Sequence, residues 1–264
     1  MNTPFTKKYG PWAVVAGASE GLGAEFARQL AQRGLNVLLV ARRAAVLDEV
    51  AASIRAQHGV EVRTAALDLS DPALPDKIRS ATAGLEVGLL VYNAAYSTIG
   101  EFLSQDLSDE LRIVDVNCRG PVILAHVLCQ QMAARRRGGV ILMSSIAAGQ
   151  GSPLIATYAA TKAFNLIFGE GLWAELSRHG IDVITCRAGA TRTPGYERSQ
   201  PRGGDFLLMD AAPVVRQTLE AIGRSPSLIP GLLNGASAFF MGRILPRRLA
   251  VRLLGSATRR MYER

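Results

Sequence analysis

The sequence predicts an α/β fold: a doubly wound parallel sheet of about seven strands with helices on both faces. Three observations carry the prediction. Short apolar runs alternate with helical stretches, many of ten or more residues, along the first 190 or so residues, the pattern of repeated strand–helix–strand units. Several of those runs are apolar almost throughout, as strands covered on both faces must be. A glycine-rich turn separates the first run from the first helical stretch, where this architecture needs a tight connection.

The elements follow in order. Trp12 to Ala16 is a short apolar strand that leads into glycine-rich sequence, and an amphipathic helix runs from about Leu22 to Gln32. Asn36 to Ala41 (NVLLVA) reads as a buried strand, followed by a helix from Ala44 to Gln57. Val60 to Leu67 alternates as a strand, Ala73 to Ala83 is helical, and Val87 to Val91 is the fourth strand. Helices are expected over Ser108–Asp115 and Gly120–Arg136, flanking Asn117. Val140–Met143, a long helix over Ile155–Arg178, and Ile181–Cys186 complete the alternation. No repeat and no linker rich in Pro, Gly or Ser divides the 264 residues, so one domain spanning 1–264 is expected.

Chemistry enters with Tyr158, Lys162 and Ser145. At i,i+4 on one helix a phenol and an ammonium share a face. With six tyrosines and four lysines in the chain, this spacing arises by accident about 0.1 times. An adjacent cation favours an ionised phenol, and a serine hydroxyl from a neighbouring strand end can hold a substrate oxygen. The trio therefore points to proton transfer at a carbonyl or an alcohol. For Ser145 and Asn117 singly, a strand-end hydroxyl and a helix cap are the simpler readings.

The turn AGASEGLG, Ala16 to Gly23, supplies a nucleotide signature. Gly17 permits the tight turn, Gly21 lets the backbone approach a pyrophosphate, and Gly23 lets helix and strand pack closely. The helix start then offers free amides to phosphate. At the end of the second strand, where NAD-binding folds place a carboxylate, this chain has Ala41, Arg42 and Arg43. A guanidinium there suits a 2′-phosphate, so NADP(H) is favoured over NAD(H). Glu20, where a base would have helped, pulls the other way.

Composition narrows the rest. The three cysteines are scattered and show no metal-ligand spacing, and the histidines form no constellation; no metal is expected, and the thiols fit a reducing, cytoplasmic compartment. Neither a secretory signal nor an apolar stretch of transmembrane length is expected. The net charge of +8 is concentrated: from Phe239 onward seven arginines face one acid, Glu263. No nucleic-acid partner is expected from so local an excess.

Assembled, these residues resemble the short-chain dehydrogenase/reductase family, over about Gly10 to Thr193. The resemblance implies a single-domain Rossmann fold, and it rests on AGASEGLG, LDLSD around Asp68, VYNAA around Asn93, the Ser145–Tyr158–Lys162 trio and AGATRT at Ala188–Thr193. Ala16, Tyr92, Ala95 and Ala188 depart from the usual residues. The resemblance implies a cofactor held by Gly17, Ser19, Gly21, Leu22, Gly23 and Arg42. Asp68, Leu69, Asn93 and Ala94 are implied to line it, with Gly189, Thr191 and Thr193 near the nicotinamide and Tyr158 and Lys162 at its ribose. Tyr158 is implied as general acid/base, Lys162 as its support, Ser145 as the holder of the oxygen, and Asn117 as the residue placing a relay water. Within the family the chain is similar to 17β-hydroxysteroid dehydrogenases and 3-ketoacyl-CoA reductases, which implies a lipophilic ketone or secondary alcohol. Tyr96, Ile146, Leu154 and Ile155 are implied to wall its pocket, together with Ser145.

Two segments lie beyond the motifs. Residues 194–212, with Phe206 on an apolar underside, form either a substrate lid or a helix packed on the core. Residues 239–264 are a basic amphipathic extension, expected to pack on the domain or a partner, with peripheral membrane contact as the alternative. A homo-oligomer, dimer or tetramer, is expected. The competing functions are a non-catalytic NADP(H) sensor and a membrane-surface lipid-modifying reductase.

Overall fold

The computed structural model describes residues 4–199 and 207–262. Strands β1 (Trp12–Ala16), β2 (Asn36–Ala41), β3 (Val62–Ala66), β4 (Val87–Tyr92), β5 (Gly138–Ser145) and β6 (Ile181–Ala188) alternate with helices. The helices are α1 (Pro4–Tyr9), α2 (Gly21–Gln32), α3 (Ala44–Gln57), α4 (Leu74–Ala81), α5 (Leu107–Val114), α6 (Gly120–Ala134) and α7 (Ala156–Leu176). Beyond β6 come β7 (Thr191–Arg192), α8 (Pro194–Arg198), β8 (Met209–Asp210), α9 (Ala211–Ala221), β9 (Ser227–Leu228), α10 (Leu232–Phe239) and α11 (Arg247–Tyr262).

The sheet has seven parallel strands in the order β3-β2-β1-β4-β5-β6-β9. Every residue of β1 and β4 is buried, because period-two side chains meet helices on both faces. Ala13 and Val15 pack with Phe26, Leu30, Leu47 and Val215 on one side. Trp12, Val14 and Ala16 pack with Leu74, Ile78, Leu124 and Leu128 on the other. The order reverses at β1, which pairs with both β2 and β4, and a crevice opens there at the strands' carboxyl ends.

The seventh strand is only two residues long, Ser227–Leu228 against Thr185–Cys186, too short to stand out as an apolar run. Helix α1 was not expected either. It is tied down where the Tyr9 hydroxyl donates to Asp182 at 2.7 Å. The two helices around Asn117 are joined, not separated: Asp115–Arg119 forms one π-helical turn that links α5 to α6. Such a widened turn is a recurrent feature of functional sites. Among the described residues of the basic extension, α11 lies against the domain through Ala250, Gly255 and Thr258. The Thr258 and Ser152 hydroxyls bond each other at 3.0 Å.

Candidate active site

Strand β5 ends in three residues that grip α7 in three ways. The Met143 carbonyl accepts from Lys162 Nζ at 2.9 Å. The Ser144 hydroxyl donates to the Lys162 carbonyl at 2.7 Å. Ser145 caps the short turn that follows, accepting from the Ala147 amide at 3.1 Å, and its hydroxyl bonds Tyr158. Lys162 is buried, with its ammonium 5.5 Å from the centre of the Tyr158 ring. The spacing read from the sequence therefore does bring Ser145, Tyr158 and Lys162 together.

Their electrostatics differ from the expectation. Burial pushes the Tyr158 phenol up to about 12, its bond with Ser145 pulling the other way. Burial also lowers the Lys162 ammonium to about 8. The cation does not hold the phenol ionised here, because both groups lose solvation in one site and that loss dominates. A protonated Tyr158 at neutral pH is the form that can give a proton away.

Asn117 is fully buried in the π-helical turn. Its amide accepts from the Tyr96 backbone at 2.8 Å and donates to the Tyr96 carbonyl and to Thr161 Oγ1. Its own carbonyl accepts from Asn165 at 2.9 Å. Asn117 thus ties the segment after β4 to α7. Tyr92, one of the departures from the family pattern, adds a second tie by donating to the Val116 carbonyl at 2.6 Å.

A cleft of about 600 Å³ runs along the carboxyl ends of the strands at the reversal point. Gly17, Ser19, Gly21, Leu22, Arg42, Asp68, Leu69, Asn93, Ala94 and Thr193 all line it. Gly17 has φ +81°, and a Cβ there would meet the Ala94 backbone at 2.6 Å, so only glycine fits. Gly23 lies beneath the cleft and lets α2 pack on the turn. No side chain caps α2, and its first amides remain for an anion. Against the upward push of burial, bonds from Ser70 and the charges of Arg112 and Arg42 hold Asp68 below the ordinary carboxylate range.

Among the expected cofactor residues, Gly23, Tyr158, Lys162, Gly189 and Thr191 are outside this lining. Thr191, the first residue of β7, donates through its hydroxyl to the Gly189 carbonyl at 3.0 Å. Tyr96, expected on the substrate wall, lines the nucleotide cleft, where its hydroxyl donates to Asp109 at 2.6 Å. The cause is Asn117, which pins the Tyr96 backbone. Sequence reading missed Arg43, Glu20 and Arg198 as a set. Glu20 pairs with Arg43 at 2.7 Å and with Arg198 of α8, and Arg198 foremost, then Arg43, holds its carboxyl below the usual range.

A smaller cavity of about 250 Å³ adjoins Tyr158. Ile113, Pro153, Leu154 and Ile155 give it an apolar wall, and Glu101, Glu110 and Arg259 a charged one. Of the residues expected on a substrate wall, Leu154 and Ile155 line this cavity and Ser145 and Ile146 do not. Leu154 has φ +65°, a costly conformation for a branched residue. Its carbonyl accepts from Gly100 at 2.9 Å. Arg259 arrives from α11, with Glu101 3.9 Å away, and no motif signalled it. Phe206 lies outside the described residues. No group of His, Cys, Asp or Glu among the described residues can hold a metal ion.

The short chain dehydrogenase family model matches residues 11–202. The chain is 32% identical over 232 residues to a 7beta-hydroxysteroid dehydrogenase of Clostridium sardiniense, covering 87% of this chain and 89% of that one. It is 39% identical over 191 residues to a very-long-chain 3-oxoacyl-CoA reductase of Podospora anserina, covering 69% and 56% respectively. A solved 7beta-hydroxysteroid dehydrogenase structure superposes with a TM-score of 0.90 at 29% identity, over 96% of this chain and 99% of its own. A short-chain dehydrogenase from Sphingobium yanoikuyae in complex with NADPH gives 0.75 at 28%, over 89% and 96%. The chain belongs to the short chain dehydrogenase family and is an oxidoreductase.

Proposed function

We propose that the protein is an NADP(H)-dependent reductase that interconverts a lipophilic ketone and its secondary alcohol. The observation that carries this reading is Tyr158: protonated, bonded to Ser145, and lining a cavity with an apolar wall. Bound NADPH would supply the hydride to the carbonyl carbon. The chain's residues do the rest. Ser145 and Tyr158 hydroxyls hold the carbonyl oxygen and stabilise the charge that develops on it. Tyr158 gives up its proton as general acid, and Lys162, 5.5 Å from the ring, stabilises the phenolate left behind. Asn117 holds the two sides of the site together and is our candidate for placing a relay water through its carbonyl.

Cofactor choice rests on Arg42 and Arg43 at the end of β2, with no carboxylate at that strand end. Arg43 is already engaged by Glu20, so Arg42 is the residue for a 2′-phosphate. The substrate reading rests on the apolar cavity wall and on the names of the relatives, which include steroid and 3-oxoacyl-CoA enzymes. The lid expected over 194–212 is supported in this reading by the tie of Arg198 to Glu20 in the nucleotide loop; its residues 200–206 lie outside the described residues. Free thiols at Cys118, Cys129 and Cys186 agree with a cytoplasmic setting. The apolar face of Leu107, Leu111, Phe164 and Ile167 supports a homo-oligomer.

NADPH oxidation against ketosteroids, 3-ketoacyl thioesters and aryl ketones tests the reading. Turnover on at least one class is expected, falling about 10²–10⁴-fold in Tyr158→Phe, with NADPH affinity retained. Equal, negligible turnover in both proteins with tight NADPH binding would make the protein a sensor. Arg42→Ala should weaken NADPH about tenfold or more, the loss of a hydrogen bond to a charged group, and change NADH affinity little. Equal loss for the two nucleotides would sink the cofactor assignment.

A further inference from the structure

We infer that the C-terminal unit, α10 through α11, is a docking face for an anionic lipid bilayer. Two independent features of the same stretch point there. First, it exposes large apolar side chains in sequence: Leu232 is 93% exposed, Phe239 62%, Phe240 51% and Ile244 58%. Leu232, Phe239, Phe240 and Ile244 recur at helical spacing along α10 and the π-turn that continues it, so they share one side of that element. On α11, Leu249 and Leu253 stand exposed at i,i+4, while Ala250, Gly255 and Thr258 take the face against the domain. Second, the stretch from Leu232 to Tyr262 carries six arginines and no acidic residue. Arg243, Arg248, Arg252 and Arg260 are all exposed.

The pairing of the two features selects the occupant. Apolar side chains rimmed by arginine match the acyl boundary and anionic headgroups of a bilayer. A second copy of this chain fits poorly, because a two-fold contact would set one arginine-rimmed surface against another. Nucleic acid would meet the charge but leave the leucines and phenylalanines unused. No helix among the described residues is long and apolar enough to cross a membrane, so the contact is peripheral. The same α11 contributes Arg259 to the cavity beside Tyr158. A lipophilic molecule leaving the bilayer would therefore meet the cavity wall on the same helix.

Co-sedimentation of the full chain with vesicles tests this. Phosphatidylcholine vesicles with 30% phosphatidylserine, about as a choice of composition for the leaflet charge, should pull the protein down. Pure phosphatidylcholine should not. Each arginine removed should cost about fivefold in partitioning, so Arg243→Glu with Arg248→Glu and Arg252→Glu should cost at least about 100-fold. Leu232→Ser with Phe239→Ser and Phe240→Ser should lose binding at unchanged charge. All six positions are exposed, and an unchanged thermal midpoint verifies that the variants fold. No sedimentation above the protein-alone control, or equal binding by the variants, would overturn the inference. So would a halved mass of the apolar variant in light scattering, which would make a second copy the occupant. Binding to polyglutamate but not to vesicles would overturn it in favour of an acidic protein.

Discussion

Lys162 ordinarily titrates near 10.5, and burial lowers it to about 8 in the folded chain. Between those values the unfolded chain holds more protons than the folded one, so stability rises with pH across that window. Below about pH 8 both states are protonated and the burial penalty is constant; above about 10.5 it is gone. The stability of wild type relative to Lys162→Met should therefore climb between pH 8 and 10.5 and be flat outside. Denaturant titrations at a series of pH values measure it, and a flat difference throughout would show that Lys162 is not buried as an ammonium. Lys162 and Tyr158 were legible in the sequence because helical spacing alone puts them on one face. Glu20 and Arg198 were not, since their contact joins residues 178 positions apart, and no local periodicity encodes that. The direction of the Tyr158 shift was also hidden: it depends on how much water the fold excludes.

Helix α7 carries the phenol and the ammonium, and its distance from the sheet is fixed at Gly169. A Cβ there would meet Thr185 Oγ1 at 1.9 Å, far inside contact distance, and Thr185 is fully buried on β6. Gly169→Ala should push α7 away from the sheet and cost about 1–3 kcal/mol, a fall in Tm of about 2–4 °C per kcal/mol for a domain of this size. Calorimetry would show it, and an unchanged Tm would mean that α7 is not seated as described. Most elements were legible because long apolar and amphipathic runs announce themselves. Strand β9 was not, being two residues held by β6. The π-turn at Asp115–Arg119 escaped for a different reason: one extra residue per turn leaves the apolar pattern of the flanking helices nearly unchanged.

Across the whole molecule, the strand order gathers the loops after β1, β2, β4 and β5 at one edge of the sheet, and both cavities open among them. The doubly wound fold was readable because the alternation runs through six strands, whereas the return of α11 to the cavity depends on packing that its arginine-rich sequence does not advertise. The amines are placed unequally over this body. The chain has four lysines; Lys7, Lys8 and Lys77 reach solvent, and Lys162 is 3% exposed. The lysine whose pKa burial lowers is thus the one that packing shields. A bulky acylating reagent should stop at three lysine side chains, Lys7, Lys8 and Lys77, as read by peptide mapping, with Lys162 reacting only after unfolding. Four in the folded protein would reveal an opening of the β5–α7 grip, so the scarcity of lysine turns simple amine chemistry into a gauge of whether the site is closed.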